Sequence, residues 1–180
     1  MLKQIRVHGR GGQGAVTSCE LLAIAAFKDG KYSQSFPFFG VARRGAPVMA
    51  FTRIDDKFIR LREQVTKPDY VMVLDPTLID VIDVHEGITD TGIIIVNTSK
   101  SPSELNIKTK AKVVTVDITK ISLEIIGAPF VNTPMLGAFA KVIGEVSLKS
   151  IILAIEEKMP EKIAKKNIDA VKKVFEVTKL

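Results

Sequence analysis

Val7-His8-Gly9-Arg10-Gly11-Gly12-Gln13-Gly14-Ala15 is the stretch on which the reading of this chain turns. It follows the apolar run Ile5 to Val7 and opens a long helical pattern, Val16 to Phe27. Four glycines fall within the six residues from Gly9 to Gly14, between a strand and a helix. Glycine tolerates positive φ and has no Cβ, so another group can approach the main chain closely. The following helix aims its free N–H groups and positive dipole end back at the loop. An anion, or a negatively polarised surface, is the natural occupant. Close packing of helix on sheet would also ask for glycine here, but would not ask for Arg10 and Gln13 among the glycines.

Gly9, Gly11 and Gly14 also satisfy the dinucleotide pattern G-x-G-x-x-G in the strand-to-helix setting it requires. A Rossmann site further needs an acid at the end of the second strand to hold the ribose hydroxyls. That region reads Tyr32-Ser33-Gln34-Ser35-Phe36-Pro37, without Asp or Glu, which disfavours NAD. A free-standing nucleotide- or flavin-binding oxidoreductase, or a pure interaction module, remains open on the loop alone.

Outward from the loop, strands alternate with helices. Residues 2–8 read as the first strand, and its helix closes at Asp29-Gly30. Strands are expected at 31–36 and 48–54, with a hairpin partner at 58–61. Buried strands follow at 70–74, a continuous apolar run, and at 93–96 and 113–116. Helices are expected at 77–84, 118–126, 147–158 and 161–177. Another should run from Asn132-Thr133-Pro134, read as a cap followed by a first-turn proline, to about Ile143. This alternation predicts a three-layer α/β/α, Rossmann-like fold with a mostly parallel sheet, mixed if the hairpin forms. Residues 1–180 are expected to make one domain.

The chain of 180 residues is 46% hydrophobic and 26% charged, ordinary for a globular protein. Its apolar runs are too short for a membrane span, and Met1 leads almost directly into a strand. No membrane partner and a cytoplasmic location are expected. Net charge is +6, with lysines of the C-terminal third interleaved with glutamates. That pattern reads as a solvated helix face, not a nucleic-acid surface.

Few residues could carry chemistry. Cys19 is the sole cysteine, unable by itself to hold a cluster or structural zinc, and reads as a buried thiol. His8 and His85 have no nearby ligand pattern and read as structural. There is no Ser-His-Asp spacing, metal-ligand set or P-loop lysine, so no catalytic and no metal-binding residue is assigned. In an open α/β sheet functional groups gather beyond the C-terminal strand ends. That edge should collect the 9–14 loop, Asp75, Asn97 and Asp117, the two acids reading as helix caps. Arg43 and Arg44 sit in a loop rich in apolar residues (Phe36, Phe38, Phe39, Val41), a composition suited to an interface or to bidentate phosphate binding.

Three motifs now carry a resemblance: Gly9-Arg10-Gly11-Gly12-Gln13-Gly14, Phe39-Gly40-Val41-Ala42-Arg43-Arg44-Gly45-Ala46-Pro47 and Met135-Leu136-Gly137-Ala138. In this order, and over nearly the whole chain, the sequence resembles the gamma subunit of 2-oxoacid:ferredoxin oxidoreductases, pyruvate and 2-ketoisovalerate members above all. It departs at Ala42, where many members carry a glutamate, so that acid's contacts are not carried over. The resemblance implies a multi-subunit enzyme that decarboxylates a 2-oxoacid oxidatively, most simply pyruvate, reduces ferredoxin and forms acyl-coenzyme A. It implies thiamine diphosphate with Mg2+ and [4Fe-4S] clusters in alpha, beta and delta partner subunits, none bound by this chain. The role implied here is assembly beside the active site and help in binding coenzyme A. Gly9, Arg10, Gly11, Gly12, Gln13, Gly14, Arg43 and Arg44 are the expected binding residues.

Overall fold

The computed structural model describes residues 1–38 and 44–179. One six-stranded sheet forms from β1 (Lys3–Arg10), β2 (Tyr32–Phe38), β3 (Pro47–Asp55), β4 (Tyr70–Val73), β5 (Ile93–Asn97) and β6 (Lys112–Val116). Its order is β2-β3-β1-β4-β5-β6. β1, β4, β5 and β6 run parallel, while β3 lies antiparallel between β1 and β2. The fold is thus α/β with a mostly parallel, mixed sheet. Short β4 is apolar throughout, and β5 is apolar up to its last residue, Asn97, because both faces of these central strands are covered.

The antiparallel partner of β3 differs from expectation. β3 pairs with β2, Phe36 opposite Phe51, whereas 58–61 forms no strand. The carbonyls of Ile59 and Leu61 accept instead from the side chains of Gln34 and Arg53. The expected hairpin cannot form because β3 is already bonded on both sides, to β1 and to β2.

All five helices lie in one connected layer: α1 (Ala15–Lys28), α2 (Ile118–Ile125), α3 (Met135–Val142), α4 (Leu148–Lys158) and α5 (Glu161–Val177). They cover Ile5, Val7, Ala50, Met72 and Ile95 in the main core. Within this layer α3 crosses α5 so closely that a Cβ on Gly137 would clash with the Val171 carbonyl. The opposite face, over Val71, Val73, Ile94 and Val96, is covered by turns and irregular segments that bring in Leu78, Val84 and Ala111. The second outer layer is therefore not α-helical. The helix expected at 77–84 is only a 3-10 turn, Pro76–Asp80, capped by Asp75, after which the chain continues as turns.

Below the sheet, at the N-terminal strand ends, Glu145 accepts from Lys31 at 3.0 Å and from the Tyr70 hydroxyl at 3.3 Å. Burial, then the nearby Glu145 charge, pushes the Tyr70 phenol up to about 12. The N-terminus of α4 is tied down at the same end, where Asp29 accepts from Ser147 and Ser150.

Candidate functional site

β1 delivers the glycine loop to the C-terminal edge of the sheet, and α1 starts immediately beyond it. Gly14 is the N-cap of α1 with φ 80°, and Gly12 has φ 95°; both values lie where L side chains are strained. Gly14 has a second reason to lack a side chain, because a Cβ there would run into the Asn132 side chain. The Asn132 carbonyl in turn accepts from Ser18 Oγ of α1 at 3.0 Å. Asn132 is thus a spacer between the loop and α3. It does not cap that helix, whose N-cap position is Pro134, without a side-chain bond.

Arg10 and Gln13 are held within the loop's own network. Arg10 Nε donates to Asp75 Oδ2 at 3.2 Å, and Gln13 Nε2 donates to the same oxygen at 2.8 Å. Asp75 Oδ1 accepts from the Thr77 amide at 3.0 Å and the Thr77 hydroxyl at 2.6 Å. Gln13 Oε1 accepts from the Arg10 amide at 2.7 Å, closing the loop on itself. Burial alone would raise the Asp75 carboxyl. Hydrogen bonds from Thr77 and Gln13, with the Arg10 charge, outweigh it and hold the group below the usual carboxylate range. Asp75 is the anchor of the loop as well as a cap.

The arginine-bearing loop is stitched to the same place. Gly11 donates its amide to the Ala46 carbonyl at 2.9 Å, and Gly45 donates to the Gly11 carbonyl at 3.1 Å. Arg10 Nη1 reaches the Gly45 carbonyl at 3.1 Å. Exposed Arg44 therefore stands beside the glycine loop although 30 positions or more separate them in sequence. Arg43 lies outside the described residues.

A groove of about 360 Å³ opens along this edge, lined by Gly12, Gln13, Asp75, Asn97, Thr119 and Phe130 among others. It lies beyond the carboxyl ends of the strands, where open α/β sheets bind ligands. Asn97 shapes its floor. Its amide nitrogen donates to the Leu74 carbonyl at 2.9 Å, and its oxygen accepts from the amides of Ile118 and Thr119 at 3.0 and 3.1 Å. Asp117 caps α2 by accepting from the Lys120 amide at 3.0 Å. Thr119 and Phe130 were not legible as site residues. Phe130 is 59% exposed, and nothing in the local sequence period marks it as a groove wall.

Other chemically capable groups stand apart. Cys19 is buried in α1, and burial pushes its thiol up to about 12. His8 is buried on the face away from the helices, and desolvation, then the Arg6 charge, lowers its ring to about 3. The His85 ring lies 2.7 Å from its neighbour Asp83. Among the described residues no three His, Cys, Asp or Glu side chains converge as a metal site would need. No described helix is long and apolar enough to cross a membrane. Among the described residues the arrangement offers a groove between the glycine loop and the strand ends, with the Arg10–Asp75 pair beside it and no nucleophile–base pair.

Over nearly its whole length the chain is similar to known proteins. Residues 4–177 match the family model described as pyruvate ferredoxin/flavodoxin oxidoreductase. The chain is 60% identical over 154 residues to pyruvate synthase subunit PorC of Methanosarcina barkeri, covering 86% of this chain and 85% of that protein. It is 52% identical over 180 residues to the pyruvate/ketoisovalerate oxidoreductases common subunit gamma of Pyrococcus furiosus, covering 98% and 97%. The crystal structure of pyruvate oxidoreductase subunit PORC from Thermotoga maritima superposes with a TM-score of 0.87 at 40% identity, covering 99% of this chain and 97% of that one. The fold recurs in 2-oxoglutarate:ferredoxin oxidoreductase from Magnetococcus marinus (TM-score 0.77, 17% identity), where it spans 30% of a longer chain. The chain belongs to the pyruvate ferredoxin/flavodoxin oxidoreductase family.

Proposed function

From that membership we propose that the chain is the gamma subunit of a pyruvate (2-oxoacid):ferredoxin oxidoreductase, catalytically silent by itself and needed for assembly and for coenzyme A binding. The observation that carries the reading is end-to-end identity with PorC and gamma subunits, 57% over 98% of the chain for the Methanothermobacter marburgensis protein. The enzyme decarboxylates the 2-oxoacid oxidatively and passes electrons to ferredoxin in this reading. Its alpha, beta and delta subunits carry thiamine diphosphate with Mg2+ and the [4Fe-4S] clusters. The residues of this chain do not fit a cluster, since one buried cysteine cannot supply four thiolates. Work in the cytoplasm, away from membrane and nucleic acid, completes the proposal.

In this role the 9–14 loop presents backbone amides and the N-terminus of α1 to the anionic part of coenzyme A. Arg10 and Gln13 keep the loop in shape through Asp75, and Arg43 and Arg44 supply charge from the adjoining loop. A nucleotide- or flavin-binding oxidoreductase is less well supported. Both oxygens of Asp75, the acid just beyond the end of β4, the parallel neighbour of β1, are engaged and not free to hold ribose hydroxyls.

The test is reconstitution with the partner subunits and coenzyme A titration of pyruvate-dependent viologen reduction. Turnover should require this chain. Arg43→Ala and Arg44→Ala complexes should co-elute normally with a raised KM for coenzyme A, the loss of one charged hydrogen bond to phosphate being worth about 1.5–3 kcal/mol. Arg→Lys should recover part of it, keeping the charge without the planar fork. Parental kinetics in both alanine complexes would remove the arginines from the site. Gly14→Val should fail in assembly or in coenzyme A binding, and a variant that turns over like the parent makes the loop a mere connector.

A further inference from the structure

The groove beside the glycine loop presents two kinds of surface: the backbone of the loop, and a wall whose polar side chains are already paired. Those side chains are Gln13, Asp75, Asn97 and Thr119. Asp75 accepts two hydrogen bonds on each carboxylate oxygen, the capacity of the group. The Asn97 nitrogen donates to the Leu74 carbonyl and, at 2.9 Å, to the Thr119 hydroxyl, while its oxygen accepts from the amides of Ile118 and Thr119. Gln13 donates to Asp75 and accepts from the Arg10 amide. The hydroxyls or amides of a ligand would find little in this wall to pair with.

Phe130 is the apolar side chain left open. Leu74 and Val131, which also line the groove, are 1% and 6% exposed, against 59% for Phe130. The backbone that carries the ring is fixed from both sides. Its amide donates to the Ala128 carbonyl at 2.8 Å, and its carbonyl accepts from the buried Ser122 hydroxyl of α2 at 2.9 Å. Two residues on, Asn132 abuts Gly14 and accepts from Ser18, which ties the segment to the glycine loop. An open aromatic ring on a fixed backbone is a preorganised stacking surface. At about 360 Å³ the groove lies at the low end of the roughly 300–1,000 Å³ that drug-sized ligands occupy, so it takes one end of a long cosubstrate and not the whole.

We infer that Phe130 is a stacking platform for the flat, neutral base of coenzyme A, set beside the glycine loop that takes the phosphates. This rests on the reading of the chain as coenzyme A-binding, and adds which end of the molecule lies in the groove. A stacked base asks nothing of the paired side chains, whereas the pantetheine arm would bury its amides there unmatched.

The test uses the reconstituted enzyme, with adenosine diphosphate, which keeps the base, and ribose phosphate, which lacks it, as inhibitors competing with coenzyme A. Phe130→Ala should raise the inhibition constant of adenosine diphosphate and the KM for coenzyme A together, roughly fivefold or more. Phe130→Tyr, which keeps the ring, should restore both. Ribose phosphate should act equally weakly on the parent and on Phe130→Ala. The chain has no tryptophan, so the emission that Phe130→Trp adds to the enzyme should be quenched saturably by adenosine diphosphate and not by ribose phosphate. Parental constants in Phe130→Ala, with the KM raised in Arg44→Ala, leave the coenzyme A reading standing and overturn the platform. Failure of Phe130→Ala to co-elute with the partner subunits makes the ring a subunit contact and overturns it as well. A parental KM in Phe130→Ala, Arg44→Ala and Gly14→Val alike removes coenzyme A from this chain, and the platform falls with it.

Discussion

The two faces of the sheet are built from the same strands by opposite means. On the helical face, β1 and β3 present Ile5, Val7, Ala50 and Ile54 to an apolar core, and the buried Thr52 among them donates its hydroxyl to the Cys19 carbonyl of α1. On the other face the same two strands present Arg6, His8 and Arg53, all buried. The cover explains the difference. A helix satisfies its backbone internally, so it asks only for apolar surface beneath it. Irregular segments bring unpaired carbonyls, and those must be met from the sheet. Arg6 donates to the carbonyls of Val84 and Glu86, and Arg53 to those of Leu61 and Glu63. Arg53 also lies over the Phe36 ring, 5.0 Å from its centroid. Buried arginine here takes the place that a helix's own hydrogen bonds take on the other face.

The largest effect should come from breaking that substitution. Arg53→Met keeps volume but orphans two carbonyls, and a loss of about 3–5 kcal/mol is expected in urea unfolding. Met72→Leu, a comparable swap on the helical face, should cost less than about 1.5 kcal/mol. Equal costs for the two would sink the account of the covers.

On the helical side the sensitive variable is distance. Gly137→Ala adds one methyl where α3 meets the Val171 carbonyl, and overpacking of about 1–3 kcal/mol should appear as a lowered Tm. An unchanged Tm would mean that α3 and α5 can separate without loss.

The faces meet at the upper edge, where Asp75 locks the glycine loop. Its folded pKa is depressed, so its stabilisation is complete above the ordinary carboxylate value of about 3.9 and fades as pH falls through the folded value. The stability gap between the parent chain and Asp75→Asn should therefore stay constant above about pH 5 and shrink in acid. A gap that stays the same from neutral pH down into acid would show that the charge of Asp75 is irrelevant to the lock.

The smallest effect belongs to the outer surface of the helical layer. Lys158 and Glu20 approach to 3.2 Å with side chains 48% and 40% exposed. A double-mutant cycle there should give less than about 0.5 kcal/mol, falling with salt. A coupling as large as that at the glycine loop would contradict the ranking.

Local rules carried much of this structure. The run from Ile5 to Gly14, followed by a helical period, places a bare turn between strand and helix whatever the rest of the chain does. Short, largely apolar runs at 70–74, 93–96 and 113–116 mark the parallel strands β4, β5 and β6. Asp75 and Asp117 cap the helical segments that begin after two of those strands, as their positions in the chain suggested. Three motifs in order were enough to recognise the family. Local pattern could not say which segment pairs with β3, because 58–61 has strand composition too and only the tertiary pairing gives that edge of β3 to β2. Nor could it say that one outer layer would be turns instead of helices. Nothing in the local pattern marks Arg6 or Arg53 as buried, and only tertiary structure buries them. The same holds for Arg10, whose partners Asp75 and Thr77 lie more than 60 positions away. Periodicity and turn chemistry are properties of neighbours along the chain. The identity of what lies across a buried contact is decided only once distant segments compete to satisfy the same polar groups.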